Sequence, residues 1–250
     1  MKEGVYPYFR EITSKQSTEV TDIDGHKILM FGSNAYTGLT NDPRVIEAAH
    51  KALDKYGTGC AGSRFLNGTL DIHVKLEKEL AEFEHKDDAL CFSMGFAVNA
   101  GVIPAVVGRG DYIICDDRDH ASIVDGRRLS FATSLHYKHN DMEDLERVLK
   151  KLPHEAIKLI VVDGVFSMEG DLAKLPEIVE LKKKYNCSIM VDEAHGLGVF
   201  GKERRVVCDY FGVLDDVDLI MGTFSKSLAS VGGFIAGDKD TINYIRHNCR

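Results

Sequence analysis

The stretch that decides the fold is Cys187-Ser188-Ile189-Met190-Val191-Asp192-Glu193-Ala194-His195-Gly196. Its first five residues predict a short buried strand, and this apolar run ends on the carboxylate of Asp192. Ligand sites of open α/β sheets lie at the carboxyl ends of their strands. Asp192 and His195 are therefore placed to meet a ligand, although a turn-forming Asp192 and a satisfied polar His195 are the simpler interpretations.

The rest of the chain alternates between two hydrophobic periodicities. Amphipathic patterns predict helices near 42–56, 70–85, 96–107, 141–151 and 174–185, and apolar runs predict strands near 89–92, 112–115, 158–162, 188–192 and 217–221. The first helix has a clear start, with Asp42 as its cap and Pro43 at its first position. This alternation predicts an α/β fold with a mostly parallel central sheet and helices on both faces.

Composition places the chain among ordinary globular proteins. Of its 250 residues, 44% are hydrophobic and 28% are charged, and no linker interrupts them. The net charge of −8 argues against a nucleic-acid partner. The sequence has no apolar run of about 18 residues, and its opening Met1-Lys2-Glu3 is unlike a signal peptide. We therefore expect a cytoplasmic protein without an integral membrane segment, whose six cysteines, none in a CxxC pair, are reduced.

Lys226 lies in the segment Met221-Gly222-Thr223-Phe224-Ser225-Lys226-Ser227-Leu228, just after an apolar strand. Its amine could condense with an aldehyde, and the hydroxyl groups of Thr223 and Ser225 could hold a phosphate on the same molecule. These two features suggest pyridoxal 5'-phosphate (PLP) as a cofactor. A lone lysine is far more often simply solvated, so the prediction depends on the other segments.

Asp192 and His195 are of the types that such a cofactor needs. A carboxylate beside the ring nitrogen keeps it protonated and makes the ring an electron sink. His195, three residues further on, could reach the phenolic oxygen of the ring.

Two other predicted strands also end in polar or glycine-containing segments. His120 follows the strand near 112–115, and its flat ring could stack on a pyridine ring, although a cap on a helix that begins at Ala121 is the simpler interpretation. The segment Phe92-Ser93-Met94-Gly95-Phe96 turns a strand into a helix. The first N–H groups of that helix, at Gly95 and Phe96, form a potential phosphate site, unless the glycine serves only the backbone turn.

These segments, in this order, resemble the motifs of the α-oxoamine synthases, a family of fold-type I PLP enzymes. The segment Asp163-Gly164-Val165-Phe166-Ser167-Met168-Glu169-Gly170-Asp171 adds to the resemblance, which extends over the whole chain. The resemblance implies that the cofactor is linked covalently to Lys226, whose amine later takes the α-proton of the substrate. It implies no metal ion. The further contacts that it implies are Asp192 with the ring nitrogen, His195 and Ser167 near the phenolic oxygen, His120 stacked on the ring, Gly95, Phe96, Thr223 and Ser225 at the phosphate, and Asn34 near the substrate.

Residues 57–69 and 223–233 resemble one branch of the family. The resemblance implies decarboxylative condensation of L-serine with a long-chain acyl-CoA to 3-ketosphinganine, a step of sphingolipid synthesis, by a homodimer with its active site at the interface. Sister enzymes, which join glycine or alanine to other thioesters, are the alternative. An anionic CoA would need a basic patch, for which Lys202, Arg204 and Arg205 are candidates by their closeness in sequence.

The family pattern also divides the chain. It predicts an N-terminal segment over 1–40, a PLP-binding large domain over 41–240, and over 241–250 the start of a connection to a smaller C-terminal domain, which this sequence does not contain. In the family that domain supplies an arginine for the substrate carboxylate. We therefore expect these 250 residues to have little turnover by themselves.

Other classes of protein fit the sequence less well. Residues 57–62 and 196–201 both match GxGxxG, the pattern of dinucleotide-binding proteins such as dehydrogenases, but neither is predicted to join a strand to a helix. Residues 196–202 also resemble a nucleotide-binding P-loop, but Glu203 stands where a P-loop needs Ser or Thr. A metal site at Asp192, Glu193 and His195 is disfavoured, because neighbouring carboxylates face opposite sides of an extended strand. A non-catalytic relative of the family would have no need for the amine of Lys226.

Overall fold

The computed structural model describes residues 8–249. The predictions made for Met1-Lys2-Glu3 and for Arg250 lie outside these residues. The strands are β1 (Glu19–Thr21), β2 (Lys27–Leu29), β3 (Asp88–Phe92), β4 (Tyr112–Asp116), β5 (Thr133–Tyr137), β6 (Lys158–Asp163), β7 (Ser188–Asp192), β8 (Leu219–Thr223) and β9 (Gly233–Gly237). The α-helices are α1 (Pro43–Tyr56), α2 (Asp71–Phe83), α3 (Gly95–Val106), α4 (Ala121–Leu129), α5 (Met142–Leu149), α6 (Leu175–Tyr185), α7 (Val207–Tyr210) and α8 (Lys239–Asn248).

Seven of these strands form the central sheet, in the order β3-β9-β8-β7-β6-β4-β5. Strand β9 runs antiparallel to both of its neighbours, and every other pairing in this sheet is parallel. The short strands β1 and β2 form a separate antiparallel pair. The prediction of an α/β fold with a mostly parallel sheet is confirmed.

Helices cover both faces of the sheet. Successive strand residues point to opposite faces, so that Ile113 packs in one hydrophobic cluster and Ile114 in the other. Helices α3, α4 and α8 contribute to the first cluster, and α2, α5 and α6 contribute to the second. Every residue of β6 and β8 is buried, as expected for inner strands of a sheet that is covered on both faces.

The predicted start of the first helix is also confirmed. Pro43 is its first residue, and the Asp42 carboxylate accepts the N–H of Arg44 at 2.8 Å. The last predicted strand begins at Leu219, two residues later than expected, because Leu214–Asp216 forms a 3-10 helix and the Asp218 carboxylate accepts the N–H of Ile189.

Four strands and three helices were not assigned from the sequence, namely β1, β2, β5, β9, α4, α7 and α8. Strand β5 lies at the edge of the sheet and is largely exposed, so it lacks an alternating apolar pattern. Strand β9 reads Gly-Phe-Ile-Ala-Gly, and glycines at both ends are typical of turns. Helix α4 was considered only as an alternative role for His120, and α8 was not predicted.

The parallel strands place their carboxyl ends at one edge of the sheet. Strands β4, β6, β7 and β8 end there at Asp116, Asp163, Asp192 and Thr223. Asp163 and Asp192 are direct partners in the ladder. Within residues 8–249, the helices are too short or too polar for any of them to cross a membrane.

Candidate active site

A cavity of about 320 Å³ lies at this edge of the sheet. It brings together almost every residue predicted from the sequence, although these residues come from distant segments of the chain. The predicted residues that line it are Gly95, Phe96, His120, Ser167, Asp192, His195, Thr223, Ser225 and Lys226. Met94, Ser122, Asp163, Ala194, Met221, Val231 and Gly232 complete the lining.

A larger cavity, of about 810 Å³, lies beside β3 and includes residues of α2 and α8. Two of its charged groups are already paired with acids, since Arg64 binds Glu77 and Arg246 binds Asp88. None of the predicted site residues lines it. The smaller cavity is therefore the candidate active site.

Lys226 is half-buried in the loop that follows β8. Burial lowers the pKa of its amine, and the nearby carboxylates of Asp192 and Asp163 partly oppose this change. A lowered pKa leaves more of the amine in the neutral form, which is the form that attacks a carbonyl carbon. The surroundings of Lys226 suit it to a covalent link.

Asp192 ends β7 with its side chain buried, and it is held by two donors. One carboxylate oxygen accepts the Asn99 amide N–H at 2.6 Å, and the other accepts the N–H of Ala194 at 2.9 Å. The next carboxylate, that of Glu193, instead binds the N–H groups of Val207 and Cys208 at 3.0 and 2.9 Å. The two neighbouring carboxylates thus point to different partners.

His195 forms a hydrogen bond with Tyr36, a residue that was not predicted. The Tyr36 hydroxyl lies 2.6 Å from His195 Nδ1. Burial, helped by the charge of Lys226, lowers the pKa of His195 to about 4, and burial raises the pKa of Tyr36. Both side chains are therefore neutral near pH 7, and the tautomer of His195 decides which of the two donates the proton of this bond.

Asn34 does not line the cavity. Its side-chain oxygen lies 3.3 Å from the Tyr36 hydroxyl, so it connects to the site through Tyr36 and His195. Its predicted contact with substrate stays a prediction.

His120 caps a helix and also lies at the cavity, and its stacking on a ring stays a prediction. It caps α4, because its Nδ1 accepts the N–H of Ser122 at 3.2 Å, and its side chain also lines the cavity. Its backbone N–H donates to the carboxylate of Asp163 at 2.7 Å. A cap and a ligand contact are compatible because they use different parts of the imidazole ring.

Buried acids form the floor of the site. Burial raises the pKa of Asp163, and the charge of Asp192 raises it further. Behind it, burial and the charge of Asp163 raise the pKa of Asp119, whose carboxylate accepts the N–H of Asp163 at 3.1 Å. Such a floor favours cationic groups above it. Asp163 ends a strand in the same way as Asp192, and this signal could have identified it from sequence.

Small and hydroxyl-bearing residues surround the start of α3. The Thr223 hydroxyl lies 2.9 Å from that of Ser225. A Cβ atom at Gly95 would lie only 2.6 Å from the Thr223 hydroxyl oxygen. Glycine at this position therefore allows the end of β8 to approach the N-terminus of α3. The arrangement combines two hydroxyl groups with the unpaired N–H groups of a first helical turn, which suits a phosphate.

One of the three basic residues considered for CoA is little exposed. The Arg205 side chain is only 14% exposed, and it pairs with Glu203 and Asp209. Because its charge is already paired with two acids and little exposed, Arg205 is the weakest of the three candidates.

Both the sequence and the fold match known proteins. Residues 26–250 match the family described as aminotransferase class I and II, and the chain belongs to this family. A serine palmitoyltransferase of Bacteroides ovatus is 73% identical over 250 residues, which are 100% of this chain and 63% of that protein. An 8-amino-7-oxononanoate synthase of Thermoanaerobacter pseudethanolicus is 46% identical over 250 residues, again 100% and 63% of the two chains.

A solved structure shares the fold. Serine palmitoyltransferase from S. paucimobilis with a bound PLP–myriocin aldimine superposes with a TM-score of 0.92 at 40% identity, covering 96% of this chain and 61% of that one. The sheet and helices described above are thus those of a fold-type I PLP transferase large domain. The chain spans about 63% of the length of the curated relatives named above.

Proposed function

We propose that the protein is a PLP-dependent acyltransferase that condenses L-serine with a long-chain acyl-CoA to 3-ketosphinganine, with release of carbon dioxide and coenzyme A. The observation that carries this proposal is the convergence of Lys226, Asp192, His195 and His120 on one cavity beside the N-terminus of α3. The close relatives named serine palmitoyltransferase support the choice of substrates.

Bound PLP would supply an aldehyde for the amine and a ring that withdraws electrons from the α-carbon of the substrate. Lys226 would bind that aldehyde and, once released by the amino acid, take the α-proton, for which its lowered pKa is suited. Asp192 would hold a proton on the ring nitrogen. His195 would lie beside the phenolic oxygen, and His120 would present the flat face of its ring.

Replacement of the lysine tests this proposal. We expect Lys226→Ala to abolish turnover together with the visible absorbance band and the borohydride-reducible adduct of the full-length protein, because no other amine lines the cavity among the described residues. Lys239→Ala, at an exposed lysine at the start of α8, is the matched control and should retain all three signals. Turnover without Lys226 would refute the assignment.

The sister reaction with a different amino acid is the second candidate, favoured by the 46% identity to an 8-amino-7-oxononanoate synthase. Titration of the cofactor spectrum with serine, glycine and alanine separates the two. A saturable response to serine at lower concentration than to alanine or glycine supports the first candidate.

The homodimer is proposed from the family resemblance, and the cytoplasmic location from the absence of a membrane-spanning apolar run in the sequence. Exposed apolar side chains at the cavity, those of Phe96 and Val231, are compatible with a subunit interface there. Sedimentation velocity and cell fractionation test these two predictions.

A further inference from the structure

Asn99 is a polar residue in the middle of an apolar helix. It lies in α3 among Val98, Val102 and Ile103, and all four side chains have no exposed surface. A buried amide is costly unless its polar atoms are hydrogen-bonded, so the partners of Asn99 indicate why it is there.

The Asn99 amide nitrogen has two partners, both beside the cavity. It lies 2.6 Å from Asp192 Oδ2 and 2.8 Å from Ser122 Oγ. Because a carboxylate only accepts hydrogen bonds, the nitrogen must face Asp192, and its second proton goes to the serine oxygen. The amide oxygen has no hydrogen-bond partner within residues 8–249.

The same network continues to His120. Ser122 Oγ lies 2.8 Å from His120 Nδ1, and the Ser122 N–H also donates to this nitrogen. With its oxygen lone pair occupied by Asn99, the serine hydroxyl is free to donate its own proton to Nδ1. His120 then carries its proton at Nε2. A continuous chain of hydrogen bonds thus joins Asp192 to His120 through Asn99.

Close contact between two helices makes this chain possible. A Cβ atom at Gly126 of α4 would lie 2.5 Å from the Asn99 carbonyl oxygen, so only glycine lets the two backbones approach so closely. This approach brings Ser122, one turn earlier in α4, within reach of the Asn99 side chain.

We propose that Asn99 is a positioning residue, which orients the Asp192 carboxylate toward the cofactor ring nitrogen and, through Ser122, the His120 imidazole toward the face of the ring. The inference rests on the proposed function, since it assumes that PLP occupies the cavity. The hydrogen bond from Asn99 fixes the orientation of this carboxylate, which would accept the N–H of a protonated ring nitrogen.

Cofactor affinity provides a test that does not depend on turnover. The dissociation constants of the full-length apoprotein are measured for PLP and for an analogue whose ring nitrogen is replaced by C–H. We expect Asn99→Ala to weaken the binding of PLP about tenfold more than the binding of the analogue, because a hydrogen bond to a charged group is lost. Ser122→Ala, which breaks only the arm to His120, should weaken the binding of both ligands equally.

Two further variants separate positioning from folding. Asn99→Leu fills similar space without donors and should give the same selective loss as Asn99→Ala. Val98→Ala is the matched control, since it also removes buried atoms of α3 but touches neither Asp192 nor His120, and it should lower the melting temperature with the ratio of the two constants unchanged.

Equal losses of affinity for PLP and for the analogue in the two Asn99 variants would overturn the inference. A merely structural residue does not distinguish a ring nitrogen from a C–H group. Failure of the proposed function would look different. In that case the unmodified protein itself would show no borohydride-reducible adduct with PLP.

Discussion

At the residue scale, the ionisation of each reactive side chain is controlled by its neighbours. Burial lowers the pKa of Lys226 and of His195, but the amine also faces the carboxylates of Asp192 and Asp163. For His195, burial and the cation of Lys226 lower the pKa to about 4, although the charge of Asp192 opposes this change. The lysine amine is thus neutral more often than that of a solvated lysine, whereas the histidine is neutral near pH 7 and has one ring N–H to donate.

Asp192→Asn isolates the charge of one of these residues. The amide keeps the size of the side chain but cannot hold a proton on the ring nitrogen, so we expect kcat to fall about 10²–10³-fold, as when other preorganised electrostatic groups are lost. Steady-state kinetics of the full-length variant checks this value.

A permanently charged cofactor is the control for Asp192→Asn. PLP methylated at the ring nitrogen should restore part of the rate in the variant. A variant that retains full activity with ordinary PLP would contradict the role of Asp192.

At the scale of elements, the site is built from strand ends and helix starts. Strands β6, β7 and β8 supply Asp163, Asp192 and Thr223, while α3 and α4 begin at the cavity with Gly95 and the cap His120. Parallel pairing places all these ends at one edge of the sheet, whatever their separation in sequence. The geometry of the site therefore depends on how closely the elements pack.

Gly126→Ala tests the contact between α3 and α4. The added methyl group would meet the backbone of Asn99, which cannot move aside as a flexible side chain could. We expect a loss of roughly 1–3 kcal/mol in the free energy of unfolding, together with weaker PLP binding, because His120 moves with α4. Denaturant unfolding and cofactor titration measure the two effects.

Gly108→Ala is the matched control for this substitution. Gly108 follows α3, and a Cβ atom there would have no neighbour within 4 Å. Unchanged stability and PLP affinity in Gly126→Ala would show that the two helices can separate without cost.

At the scale of the whole molecule, the two-sided core holds acids as well as apolar side chains. Glu84, just after α2, is fully buried, and neither of its carboxylate oxygens has a hydrogen-bond partner among the described residues. Burial, with the charge of Glu193, raises the pKa of Glu84 to about 8, although Arg205 opposes this change. At neutral pH the folded protein therefore keeps a proton that the unfolded chain would release.

The stability of the protein should depend on pH through Glu84. The raised pKa means that its contribution is most favourable below the ordinary value of 4.5 and is lost as pH rises toward 8. We expect Glu84→Gln to be more stable than the unmodified protein by roughly 2–4 kcal/mol at pH 8 and by little at pH 5. Urea unfolding at the two pH values measures the difference.

Glu82→Gln, at an exposed position near the end of α2, is the control and should leave the free energy of unfolding unchanged at both pH values. An equal effect of Glu84→Gln at pH 5 and pH 8 would show that Glu84 does not titrate in this range.

The sequence predicted the central strands well and the edges of the fold poorly. Buried parallel strands such as β6 and β7 are continuous apolar runs with polar ends, and such runs are visible in a local window. Strand β5 has no such pattern because one of its sides faces solvent, and the short glycine-bounded β9 resembles a turn. The residue-level chemistry was predictable where a reactive side chain directly follows a strand, as at Asp192.

The sequence by itself determined the fold class and the chemical types at the site, because helix and strand periodicities and strand-end residues are local features of the chain. Only the tertiary structure decided which buried side chains orient those groups. Asn99 meets Asp192 across 93 positions, and Tyr36 meets His195 across 159. Contacts over such separations leave no periodic signal, since they arise only when the sheet aligns its strand ends and α3 packs against α4.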